Sequence, residues 1–96
     1  MSDQFARYPS LSGKTVFITG GASGIGAEIV KAFAAQGAKV GFVDLDADGA
    51  QALTDATEGT VAWEQADLRD IAALQEAFGR LKTTLGPAQV LVNNAA

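Results

Sequence analysis

Between Val16 and Ala27 the sequence reads VFITGGASGIGA, an apolar run that passes into four glycines and then turns apolar again. Glycine costs roughly 0.5–1 kcal/mol against alanine inside a strand or helix, so a segment holding Gly20, Gly21, Gly24 and Gly26 together has a use for bare backbone. On its N-terminal side, KTVFIT (Lys14–Thr19) is a β-prone run bounded by Gly13 and Gly20. On its C-terminal side, Ile25, Ile29 and Phe33 recur at i, i+4 and i+8, one face of a helix. The glycines therefore join a strand to a helix.

The same rhythm continues. Gly37 is placed to end the first helix, and KVGFVD (Lys39–Asp44) reads as a second buried strand. Asp46 can cap a helix running to about Thr57, and TVAWEQA (Thr60–Ala66) alternates as a third strand. Asp70 caps a third helix whose stripe is Ile71, Leu74, Phe78, Leu81 and Leu85, ended by Gly86-Pro87. QVLVNNAA from Gln89 is a fourth strand. Strands alternating with helices predict right-handed crossovers and a parallel sheet, and the VFI and VLV runs suit strands covered on both faces. The expected fold is α/β: a Rossmann-type, doubly wound parallel sheet whose first four strands take the order 3-2-1-4. Residues 1–12 read as an N-terminal arm.

Composition removes several chemistries. With no histidine and no cysteine, these 96 residues hold no Ser-His-Asp triad, no His-ligated zinc, no disulfide and no catalytic thiol. Seven basic against eleven acidic residues give a net charge of −4, and the basic ones are scattered, which argues against a nucleic-acid surface. The opening MSDQFARYPSLSGK lacks the apolar centre of a secretory signal, and no apolar run approaches the ~20 residues that span a bilayer. The expectation is a cytoplasmic protein without membrane partners.

A glycine turn between the first strand and first helix is where a Rossmann-type fold receives a dinucleotide pyrophosphate, on the free N–H groups of the helix start. An ordinary tight turn would also use glycine. Two features favour the ligand: the placement between strand and helix, and Asp44, 18 residues beyond Gly26 at the end of the second strand. A carboxylate at about that distance bonds the adenine-ribose hydroxyls.

At this point the sequence resembles the short-chain dehydrogenases/reductases. Their fingerprint T-G-x-x-x-G-x-G is matched by Thr19, Gly20, Gly24 and Gly26, and their third-strand acidic residue by Asp67, followed by Leu68. Their fourth-strand N-N-A-G is matched by Asn93, Asn94 and Ala95, with Ala96 standing in place of the glycine. The resemblance implies that Ser23 and the Ile25 backbone contact the adenosine ribose and pyrophosphate, and that Asp44 holds the ribose diol with Leu45 beside the adenine. It further implies that Asp67 and Leu68 meet the adenine edge and that Asn94 and Ala95 border the cofactor, while Asn93 ties strands together.

In this family the chemistry needs a Tyr-x-x-x-Lys pair and a serine downstream of N-N-A-G, the phenolate serving as general base or acid for hydride transfer. Tyr8 is the sole tyrosine and is followed four residues on by Ser12, so none of these residues is a catalytic candidate. The resemblance implies that residues 13–96 are the N-terminal part of an NAD-binding Rossmann domain, the NAD-binding portion of an oxidoreductase that moves hydride between NAD and an alcohol, assembled as a homotetramer. NADP-using relatives commonly carry a basic residue just before the second glycine of the motif or just after the second strand. Ser23 and Leu45 occupy those positions, and NAD is the expected cofactor. The opening and closing stretches look most like bacterial sugar dehydrogenases acting on aldoses. The alternatives are a dehydrogenase of another secondary alcohol (hydroxysteroid, polyol or 3-hydroxyacyl compound) or a free-standing noncatalytic dinucleotide-binding module.

Overall fold

The computed structural model describes residues 11–22 and 24–94. Its elements alternate: β1 (Thr15–Thr19), α1 (Gly24–Ala35), β2 (Lys39–Asp44), α2 (Ala47–Ala56), β3 (Thr60–Gln65), α3 (Ile71–Leu85) and β4 (Val90–Asn93). The four strands form one parallel sheet in the order β3-β2-β1-β4, as the sequence predicts. Val16 pairs with Val40 on one side and with Val90 on the other, which makes β1 the central rail. All five of its residues are buried.

Strand alternation sorts the core into two layers. Val16, Ile18, Val40 and Phe42 point to one face, where Val30, Phe33 and Ala34 of α1 and Ala50 and Leu53 of α2 cover them. Phe17 and Val43 point to the other face and meet Ala77, Leu81 and Leu85 of α3. The Phe17 ring stacks on Phe78 with centroids 5.6 Å apart. Helices on both faces make the sheet doubly wound.

Both predicted aspartate caps form. The Asp46 carboxylate accepts the Gly49 N–H at 2.9 Å, and the Asp70 carboxylate accepts the Ala73 N–H at 3.1 Å. Gly37 leaves α1 at φ +83°, and Leu11, at the end of the expected arm, packs partly against the α1 layer. Residues 1–10 of that arm, Tyr8 among them, lie outside the described residues.

Three apolar positions depart from expectation. Ile25 is 73% exposed, and the buried face of α1 is Gly26, Val30, Phe33 and Ala34, rotated by about one residue from the Ile25–Ile29–Phe33 line. Ile71 is 70% exposed, because the stripe that meets the sheet runs through Ala77, Leu81 and Leu85. Both isoleucines sit in a first helical turn. Leu91 is 62% exposed, so β4 is covered on its Val90–Val92 side and not on both faces: α3 packs over β2 and β3 instead.

Candidate functional site

The C-terminal ends of all four strands point the same way in a parallel sheet, and the residues singled out in the sequence collect there. The turn after β1 is laid across the end of β2, one residue upon another. The Gly20 N–H donates to the Val43 carbonyl at 2.8 Å, and the Ala22 N–H donates to Asp44 Oδ2 at 3.0 Å. Between them Gly21 lies so close to Phe42 that a Cβ there would come within 2.7 Å of the ring.

On the opposite side the turn is held by β4. Asn94 Nδ2 donates to the Gly20 carbonyl at 3.0 Å. The Thr19 hydroxyl donates to Asn93 Oδ1 at 3.0 Å and accepts the Asn94 N–H at 3.1 Å. Asn93 therefore does tie β4 to β1. Gly20 and Gly24 have φ of +71° and +58°, in the left-handed region that L side chains avoid. Gly26 is required for a different reason: a Cβ there would collide with the Gly20 carbonyl and reach within 2.8 Å of Asn94 Nδ2. The first turn of α1 can thus press against the turn that precedes it, with its orphan N–H groups at the mouth of the cradle.

Asp44 stands beside this cradle. Its Oδ1 accepts the Asp46 N–H at 3.0 Å while Oδ2 accepts that of Ala22, so each oxygen keeps a lone pair for a further donor. The Ala66 N–H donates to the Asp44 carbonyl at 3.2 Å, which brings the end of β3 alongside. Leu45 is 56% exposed, with its carbonyl held by Gln65 Nε2 at 3.1 Å. Leu68 is half-buried against the α3 layer.

Asp67 is engaged by Arg69. Its Oδ1 accepts both the Arg69 N–H (2.9 Å) and Nε (3.1 Å), and its Oδ2 accepts Nη2 at 3.0 Å. These bonds, the side-chain ones foremost, hold the Asp67 carboxyl down at about 2 and raise the Arg69 guanidinium.

Of the sequence-predicted residues, Gly20, Gly26 and Asn94 are in direct contact, Asp44 is bonded to the same turn through Ala22, and Gly24 opens α1 in the left-handed region. Leu45 follows the end of β2, Asp67 and Leu68 follow the end of β3, and Ile25 is exposed at the helix start. Ser23 and Ala95 lie outside the described residues. Sequence reasoning missed Ala22 as a donor, Gln65 and Arg69; Ala22 acts through its backbone, which no residue type reports. Among the described residues, no group of three or more acidic side chains could hold a metal ion, and no helix is long and apolar enough to cross a membrane.

A family model described as short chain dehydrogenase matches residues 14–96. The chain belongs to the short-chain dehydrogenase family. It is 43% identical over 95 residues to a probable galactose dehydrogenase of Rhizobium meliloti, covering 95% of this chain and 37% of that protein. It is 42% identical over 93 residues to D-xylose 1-dehydrogenase of Caulobacter vibrioides, covering 94% and 36%. A solved short-chain dehydrogenase/reductase from Serratia marcescens superposes with a TM-score of 0.86 at 43% identity, covering 93% of this chain and 38% of its own. The chain therefore spans little more than a third of the length of these relatives. Family and fold together imply a nicotinamide dinucleotide as cofactor. The cradle fits one: Gly20 and Gly24 keep the turn free of side chains at the start of α1, and the missing side chain at Gly26 lets that helix start close against the turn.

Proposed function

We propose that this chain is the dinucleotide-binding part of an NAD-dependent dehydrogenase that moves hydride between NAD and an alcohol, with an aldose sugar as the favoured substrate. The observation that carries the reading is the cradle made by Gly20 and Gly26, with the Asp44 carboxylate beside it. In it the α1 N-terminus would take the pyrophosphate, with Ser23 and the Ile25 backbone as further contacts. Asp44 would accept the ribose hydroxyls on its remaining lone pairs. Leu45, Asp67 and Leu68 would border the adenine, and Asn94 and Ala95 would flank the cofactor on the β4 side. When bound, the nicotinamide supplies the hydride acceptor or donor.

Preference for NAD follows from charge. A 2′-phosphate would meet the Asp44 carboxylate with no basic residue at position 23 or 45 to balance it. Arg69, the cation at the β3 end, is already bonded to Asp67.

The names of the galactose and xylose dehydrogenases support an aldose. A D-threitol dehydrogenase at 40% identity and a D-β-hydroxybutyrate dehydrogenase at 42% keep a polyol or hydroxy acid as the second reading. The complete protein is proposed to be a cytoplasmic homotetramer. The test is cofactor reduction by the full-length protein with NAD and a panel of aldoses. Turnover of one or more aldoses is expected, and no reduction with any of them would retire the aldose in favour of the second reading.

A further inference from the structure

Three consecutive residues of the glycine turn rest on three consecutive residues of β2: Gly20 on Val43 by a backbone bond, Gly21 on Phe42 by contact, and Ala22 on Asp44 by its N–H. The first two holds belong to backbone and core. The third depends on one side chain. Ala22 is 9% exposed and its methyl is part of the α1 layer, so its N–H has little access to water as a replacement acceptor. The second Asp44 oxygen is fastened to the Asp46 N–H, which fixes the carboxylate in the rotamer that reaches Ala22.

We propose that Asp44 is a positioning residue for the glycine turn: its carboxylate latches Ala22 and so holds the cradle in the shape that receives a pyrophosphate. This rests on the dinucleotide reading above and adds to it. One carboxylate then governs both ends of the adenosine diphosphate, the ribose directly and the pyrophosphate through the turn. The loss of Asp44 accordingly does more than admit a 2′-phosphate. It also loosens the site that every dinucleotide shares.

Charge and latch make opposite predictions, which allows a clean test. Inorganic pyrophosphate has no ribose and would touch only the cradle. Removing a negative charge within a Debye length of the anion should tighten its binding if Asp44 acts through charge alone. If Asp44 is a latch, the same substitution should weaken it. The experiment combines amide hydrogen exchange with pyrophosphate competition against NAD, in the full-length wild-type protein, Asp44→Ala and Asp44→Asn.

In Asp44→Ala the Ala22 and Asp46 amides should exchange about tenfold faster or more, the consequence of losing a bond to a charged acceptor. The Gly20 amide, held by the Val43 carbonyl, should keep its protection, which separates local release from general unfolding. Pyrophosphate should compete less well than in the wild type. Should Asp44→Ala lose protection throughout, Asp44→Asn is read instead. Its amide offers one oxygen where two N–H groups need acceptors; faster exchange at Ala22 with Gly20 still protected is the expected result, and an Ala22 amide that exchanges as in the wild type overturns the proposal. Unchanged exchange at Ala22 in Asp44→Ala, or pyrophosphate competition that is equal or stronger, overturns the proposal. The exchange measurement needs no cofactor. A wild-type protein that bound neither NAD nor NADP would therefore refute the dinucleotide reading separately.

Discussion

The Gly20 carbonyl occupies the space where a side chain at position 26 would begin, so the start of α1 and the turn before it are in direct backbone contact. Gly26→Ala must push the helix and turn apart. The expected cost is about 1–3 kcal/mol of stability, as for other overpacked sites, together with loss of dinucleotide binding. Gly79→Ala is the control. It sits in α3 with open space around it, and should be neutral or stabilising by up to about 1 kcal/mol. Thermal melts of both variants, with NAD titrations, check the pair.

Thr19→Val keeps the shape of a buried residue and deletes the hydroxyl that joins Asn93 Oδ1 to the Asn94 N–H. Each of those groups loses a partner at the C-terminal edge of the sheet. A destabilisation of about 1–3 kcal/mol is expected in denaturant titration, with weaker NAD binding, because Asn94 then holds the Gly20 carbonyl less firmly.

Asp67 supplies a pH signature. Its folded-state value of about 2 lies below the ordinary 3.8, so the stabilisation from Arg69 is complete above about 3.8 and lost as the pH falls through about 2. In Arg69→Gln the carboxyl should titrate higher than in the wild type but still below its ordinary value, because the N–H of residue 69 continues to bond Asp67 Oδ1, so stability would lose only the side-chain share of that acid-side dependence. The Asp67 side-chain carboxyl resonance, followed from neutral to acid pH in both proteins, reads the shift directly.

Phe42 is fully buried and carries two loads, the α1 layer of the core and the wall against which Gly21 rests. Phe42→Ala should cost about 3–5 kcal/mol, a large share of the ~5–15 kcal/mol that stabilises a natural domain. A fall in melting temperature larger than that of Thr19→Val is the expected reading.

The order of elements and both aspartate caps were legible because alternation and turn residues are local signals, and the 3-2-1-4 order followed from the Rossmann-type arrangement that the glycine turn points to. The misplaced residues share a cause that is not local. Ile25 and Ile71 fit their helical stripes by spacing, yet both sit in a first helical turn and are exposed, and periodicity does not say which turns of a helix meet the sheet. Ala77 is wholly buried although the stripe Ile71, Leu74, Phe78, Leu81 and Leu85 does not include it, because a small residue contributes little to an apolar pattern while permitting close packing on the sheet. Leu91 lies in a run that reads as buried on both faces, but which helix covers which strand is decided by the crossovers.

The site divides in the same manner. Glycine spacing and the acidic residue at the end of β2 marked the cradle and Asp44. The bond from Ala22 to Asp44 is made by a backbone donor and a particular rotamer, and neither leaves a trace in residue identity. Arg69 follows Asp67 by two residues, a spacing with no meaning until the chain bends after β3 to bring the guanidinium back onto the carboxylate.

Calorimetric titration of the full-length protein with NAD and with NADP tests the central claim most directly. The cradle of Gly20 and Gly26 beside an anionic Asp44 predicts saturable binding of NAD, tighter than NADP by about tenfold or more, equivalent to about 1.4 kcal/mol. Binding of NADP as tight as or tighter than NAD, or no binding of either, would contradict it.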